Sequence, residues 1–251
     1  MSTPEPPIET ACPPLSSPDP FELPKRIRRL VQERSKAMQS NPPGSVTYLW
    51  ANLAQVGIAP SSGSSNGYVP LEHWLNVLDE AASLGVGWLA LTCGPSLSAF
   101  PGLWDLCHWA QDPHEMMVCL HTNATAISGE ELAQIKRLNT SKIRLFVDRK
   151  DLERYRPIEA QGITLRAANP QDHGERPNCL GPSKMVYVDS RGALYTCGLV
   201  AGNCSYHLGT IYEGTLGAIM ENPGLPHAVE EPIHRVTEGC DGCPALVLNF
   251  E

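Results

Sequence analysis

From residue 46 onward, short apolar runs alternate with segments whose apolar residues recur at helical spacing. The runs at 46–53, 87–92, 116–121, 141–147 and 163–167 read as strands. Between them, 71–84, 103–111, 129–138 and 151–155 read as helices. Glu130 and Glu131 open the third helix, where the positive end of the helix dipole favours acids. Alternating β and α units predict an α/β fold with a parallel sheet and crossover helices. Five such units are too few to close an eight-stranded barrel, so the expectation is an open, partial (β/α) barrel. The serine- and glycine-rich stretch 59–70 reads as a loop after the first strand.

Beyond about residue 170 the pattern changes. Residues 184–188 and 193–197 alternate like the arms of a hairpin, joined by Asp189-Ser190-Arg191-Gly192. Gly192 suits the left-handed position of such a turn. A short helix at 215–221 ends at Asn222-Pro223-Gly224. At the other end, residues 1–24 hold eight prolines and read as a disordered or extended tail. Residues 25–40 carry an apolar stripe (Ile27, Leu30, Val31, Met38) beside six basic side chains, a solvated helix face or a contact for an acidic partner. Three regions result: a tail and basic helix at 1–44, the partial barrel at 45–170, and a small cysteine-rich region at 171–251.

Composition removes several function classes. The formal net charge is −8, which argues against a globally basic nucleic-acid binder. No apolar run approaches the roughly 20 residues of a membrane span; the longest is 86–93. The proline-rich start lacks the charged and apolar stretches of a secretory signal, so a reducing, cytoplasmic setting is expected. Nine cysteines are odd in number and too sparse for a disulfide scaffold, and clustered cysteines in a reducing compartment point to metal. No P-loop, no G-x-S-x-G and no dinucleotide fingerprint is present.

Five cysteines fall in the last region: Cys179, Cys197, Cys204, Cys240 and Cys243. Cys240-Asp241-Gly242-Cys243 is a tight turn able to present two thiolates to one metal centre. Cys179 and Cys197 bracket the hairpin with 17 residues between them. That spacing favours an iron–sulfur cluster over the paired short knuckles of a zinc site. Cys204 reads either as a ligand or as a loop thiol. Cys107 and Cys119 fall on helix and strand positions and read as core. Cys93, at the carboxyl end of a strand, reads as packing rather than as a reactive thiol, for want of an activating base nearby. Among the histidines, His121 alone stands near the expected mouth of the barrel.

Cys179, Gly192-x4-Cys197, Leu208-Gly209-Thr210-Ile211-Tyr212-Glu213 and Cys240-x2-Cys243 together resemble the C-terminal auxiliary-cluster region of radical SAM enzymes, called SPASM, or twitch in its shortened form. The shortened form is the closer match, since the chain has no later cysteines. The resemblance implies one [4Fe-4S] cluster held by Cys179, Cys197, Cys240 and Cys243. Upstream, Leu49-Trp50-Ala51-Asn52-Leu53 has the cadence of the family's first strand and loop. There the family places C-x3-C-x2-C for the cluster that cleaves S-adenosylmethionine; this chain has Ala51, Gln55 and Ile58. The family's Gly-Gly-Glu-Pro, which contacts the amino group of S-adenosylmethionine, is replaced by Cys93-Gly94-Pro95-Ser96. His121-Thr122-Asn123-Ala124 is similar to the family's Thr-Asn-Gly at the third strand end.

The resemblance therefore implies a degenerate member, with no catalytic residues assigned and S-adenosylmethionine binding disfavoured. Three readings follow. One is an electron relay or accessory subunit, whose partner would be a redox or radical SAM enzyme and neither a membrane nor a nucleic acid. Another is an enzyme that binds S-adenosylmethionine or another small molecule in the barrel mouth. The third is a zinc-stapled module recognising a protein or peptide.

Overall fold

The strands anticipated from the apolar runs all form, within one or two residues of their expected ends. The computed structural model describes residues 48–54, 69–167 and 185–221. Its first part alternates β1 (Tyr48–Asn52), α1 (Leu71–Ser83), β2 (Trp88–Gly94), α2 (Leu103–Gln111), β3 (Met117–Thr122), α3 (Gly129–Arg137), β4 (Ile143–Val147), α4 (Leu152–Glu159) and β5 (Thr164–Ala167). Then come β6 (Met185–Val188), β7 (Ala193–Tyr195), β8 (His207–Thr210) and α5 (Leu216–Glu221). The proline-rich tail, the basic helix, Gln55, Ile58, Cys179, Cys240 and Cys243 lie outside the described residues.

One eight-stranded sheet runs in the order β5-β4-β3-β2-β1-β6-β7-β8. Strands β1 to β5 are parallel and step outward one place at a time. On the other side of β1, β6 joins in parallel, and β7 and β8 continue antiparallel. The sheet thus passes without a break from the barrel-like part into the hairpin. This is the open, mostly parallel partial barrel, followed by a small hairpin and helix, that the alternation predicted.

Strand alternation sorts the side chains onto two faces. Leu49, Ala51, Leu89, Leu91, Val118, Leu120, Leu145, Val147, Val186 and Val188 join one core with the helices. Helix α1 contributes Trp74, Val77, Leu78 and Ala81, spaced so that one stripe meets the sheet. Each large apolar side chain so buried stabilises the fold by roughly 1.5–3 kcal/mol. On the opposite, concave face no helix packs among the described residues. Tyr48, Trp50, Phe146, Tyr187, Tyr195 and Tyr206 fill it instead, with Ala90, Cys119, Met185, Cys197 and Val200.

Two local devices fix the C-terminal hairpin and helix. In the β6–β7 turn, the Asp189 carboxylate accepts from the backbone N–H groups of Arg191 (2.8 Å) and Ala193 (2.9 Å). Gly192 takes a φ of 88°, and a Cβ there would stand 2.9 Å from both Ile211 and Tyr212. Across the molecule, the Glu80 carboxylate of α1 accepts from the Leu216 N–H at 2.5 Å and so tethers α5 to the helix layer.

Two elements depart from expectation. Helix α4 runs on to Glu159 through Pro157, past the expected end at residue 155. Tyr155 and Ile158 both pack into the helix-side core, and that burial carries the helix past the break. Strand β8 was read only as part of a spacing pattern. Its four residues include Gly209 at a φ of 135°, and so short a segment shows no alternation.

Candidate functional site

At the carboxyl ends of the strands, where parallel α/β sheets place their sites, register aligns one row across five strands. Asn52 pairs with Thr92, Thr92 with His121, His121 with Phe146, and Phe146 with Arg166. Asn52 Nδ2 donates to the Tyr187 hydroxyl (3.1 Å), and Trp50 Nε1 donates to Thr92 Oγ1 (2.8 Å). Trp50 meets Tyr187 edge-on at 5.0 Å. His121 lies 4.7 Å from the Phe146 ring, and both its ring nitrogens are buried with no hydrogen-bond partner among the described residues. Burial lowers its pKa below the ordinary histidine value, against the opposing charge of Asp148. His121 is therefore a neutral imidazole near pH 7, with one donor and one acceptor to offer.

Of the positions where the family carries catalytic-cluster cysteines, Ala51 alone is described. It is a strand residue, 1% exposed, on the helix-side face. At the end of β2 and just beyond it, Gly94 and Ser96 are held by the scaffold itself. Thr122 Oγ1 donates to the Gly94 carbonyl, and Ser96 Oγ donates to the Glu131 carboxylate at 3.0 Å.

The second place is the end of β7. Cys197 is 2% exposed and starts a 3-10 turn at Gly198–Val200, its sulfur accepting from the Leu199 N–H at 3.4 Å. A Cβ on Gly198 would lie 2.6 Å from Trp50 and 2.7 Å from Tyr187, so the turn packs directly on the concave aromatic layer. Thr196, 2% exposed, and His207, 8% exposed, each keep a buried polar atom without a partner, Oγ1 and Nδ1 respectively. Thr196 adjoins Cys197 in the chain, and His207 pairs in register with Tyr195. The buried Cys197 thiol is chemically suited to ligate an iron–sulfur cluster, as a thiolate. Cys179, Cys240 and Cys243 lie outside the described residues, and among the described residues no group of three or more His, Cys, Asp or Glu is arranged to hold a metal.

The remaining cysteines divide clearly. Cys204, left open between ligand and loop thiol, begins the 3-10 turn Cys204–Tyr206. Cys93, Cys107 and Cys119 are buried, and burial raises the pKa of each. Cys93 is 2% exposed within the helix-side core, so its thiol is packing, as its surroundings in the sequence suggested. Thr196 and His207 carry no signature in the sequence. The one available hint is that His207 lies between Cys204 and the Leu208-Gly209-Thr210 stretch. Among the described residues no helix is long and apolar enough to cross a membrane.

No family model and no curated protein matches the chain. Solved structures do. The structure of BtrN in complex with AdoMet and 2-DOIA superposes with a TM-score of 0.53 at 12% identity, covering 79% of this chain and 92% of BtrN. SuiB from Streptococcus suis bound to S-adenosylmethionine gives 0.50 at 10% identity, over 84% of this chain and 72% of SuiB. SuiB bound to its precursor peptide SuiA gives 0.52 at 10% identity, over 82% and 71%. At such identities the likeness is one of fold, and the fold is radical SAM-like.

Proposed function

We propose that this chain is an iron–sulfur protein on a radical SAM-like scaffold that has lost its S-adenosylmethionine-cleaving cluster and keeps one auxiliary [4Fe-4S] cluster. Its role is electron relay, or service as an accessory subunit, for a redox or radical SAM enzyme. The observation that carries this reading is Cys197. It is a buried thiol on a tight turn, and its sulfur already accepts one backbone N–H. Cys179, Cys240 and Cys243 would supply the other thiolates. Such a cluster supplies one-electron transfer at a potential set by burial and hydrogen bonding. The chain's own part is to bury the sulfur, donate to it and fix the turn against Trp50 and Tyr187. On the other side of the reading, Ala51 has no ligating atom and is packed into the helix-side core.

Protein purified anaerobically from iron-replete cells should carry about four iron and four acid-labile sulfide per chain. Cys197→Ala should lose most of both and lower the melting temperature, because cluster binding contributes folding free energy. Stoichiometric zinc without sulfide would instead support a zinc-stapled module.

A second reading is favoured by His121. Two buried, unpartnered ring nitrogens at the strand ends suit a small polar ligand in the barrel mouth, and two of the matched structures hold S-adenosylmethionine. Equilibrium dialysis with S-adenosylmethionine, comparing wild type with His121→Phe, tests it. Saturable binding lost in the variant would support this reading.

A further inference from the structure

We propose that the crevice between α1 and the turn from β8 into α5 binds a primary alkylammonium group, carried by a free amine or by the end of a lysine side chain on a partner protein. The crevice lies on the helix side of the sheet, away from the concave face. The inference goes beyond the reading above and depends on no cluster.

Helix α1 lends His73, Asn76 and Glu80, and the turn lends Ile211, Gly214 and Leu216, around a cavity of about 100 Å³. Steps of three and four along α1 put its three polar residues on one face. Ile211 and Leu216 pack on the helix-side core and give the cavity hydrocarbon walls. A Cβ on Gly214 would meet nothing within 4 Å, so the turn leaves the opening clear. Tyr212, 53% exposed, meets the His73 ring edge-on at 5.2 Å.

Size limits the ligand first. A pocket for a drug-sized molecule takes roughly 300–1,000 Å³, so this one admits a charged head with a few methylenes and no nucleotide. Charge then decides the sign. The Glu80 carboxylate accepts from the Leu216 N–H through Oε2 at 2.5 Å, and its Oε1 makes no hydrogen bond among the described residues. His73 Nδ1 is likewise without a partner there. No lysine or arginine lines the cavity, and none occurs from residue 37 to residue 135. Glu72 and Asp79 stand on the same helix. An anion would meet only like charge. A primary ammonium carries three donors and no acceptor, which suits a carboxylate oxygen beside an amide carbonyl. Its methylenes suit Ile211 and Leu216, and Tyr212 supplies an aromatic ring of the kind that attracts cations.

The test titrates 15N-labelled full-length protein with n-butylammonium, with n-butanol as the uncharged control. n-Butylammonium should shift the Leu216 and Gly214 amide signals saturably, and n-butanol should not. Glu80→Gln keeps an oxygen for the Leu216 N–H but loses the charge. It should weaken binding about tenfold or more, the worth of one charge-assisted hydrogen bond. Asp79→Asn removes an equal charge from the same helix, at a carboxylate that instead accepts from Trp109 and meets His114. It should change binding by less than about threefold, as a screened surface charge does. A glycine-rich peptide with one lysine separates the two sources. Shifts at the same amides assign the site to a partner's lysine, and shifts with n-butylammonium alone assign it to a free amine. The inference is overturned if n-butylammonium gives no saturable shift, or if n-butanol acts equally well. Equal weakening in Glu80→Gln and Asp79→Asn would overturn it too. None of these readouts involves iron or sulfide, so the proposed function stands or fails independently of them.

Discussion

Glu131 shows how much a single side chain can hold at the edge of this site. It sits at the third position of α3, where its carboxylate accepts from the Ser128 N–H (2.8 Å) while Ser128 Oγ accepts from its own N–H (3.1 Å). This reciprocal capping box closes two of the donors that a helix start leaves open. The same carboxylate reaches across to β2's exit, accepting from Ser96 Oγ and the Ser98 N–H, each at 3.0 Å. Burial would raise its pKa, but the bonds from Ser128, Ser98 and Ser96 outweigh that and hold it below the ordinary glutamate value. A carboxyl whose folded pKa is depressed contributes stability above its unfolded pKa and loses it as pH falls through the folded value. Glu131→Ala should therefore destabilise the protein by about 1–3 kcal/mol near neutral pH. In urea titrations repeated between about pH 7 and pH 3, the gap between wild type and variant should close on acidification. A gap that is constant across that range would remove the charged carboxylate from the account.

At the scale of elements, the turn after Cys197 depends on how closely it meets the concave layer. A methyl group on Gly198 has nowhere to go, with Trp50 at 2.6 Å and Tyr187 at 2.7 Å. Trp50 is itself pinned to Thr92, and Tyr187 to Asn52, so neither ring yields cheaply. Gly198→Ala should cost about 1–3 kcal/mol by overpacking and reduce iron retained through gel filtration. Gly129→Ala is the control. Gly129 opens α3 with open space around its Cα, and alanine there should be neutral or stabilising by up to about 1 kcal/mol. Equal thermal shifts in the two variants would show that close packing at Gly198 is not what holds the turn.

For the whole molecule, the layered α/β architecture was legible in the chain because buried parallel strands and amphipathic helices differ so sharply in apolar period. Helix α2 occupies the expected residues without change, and α1 differs only at its end. What the pattern could not carry was pairing. Nothing in the residues of β6 announces that it joins β1 and makes one sheet of barrel and hairpin, since the partners are far apart in sequence. Of the cysteines that spacing singled out as ligands, Cys197 alone falls among the described residues, where it is buried. The row from Asn52 to Arg166 and the orphaned atoms of His121, Thr196 and His207 were not legible, because each depends on register or on a missing partner. The substitutions at Ala51, Gln55 and Ile58 and the buried Cys197 meet in one claim: a single cluster, fully ligated by the protein, with no open iron for S-adenosylmethionine.

Mössbauer spectroscopy of 57Fe-enriched, anaerobically prepared protein, with and without excess S-adenosylmethionine, tests that claim most directly. The account predicts iron for about one four-iron cluster per chain and a spectrum that S-adenosylmethionine leaves unchanged. Iron for about two such clusters, or one iron site shifted on adding S-adenosylmethionine, would contradict it.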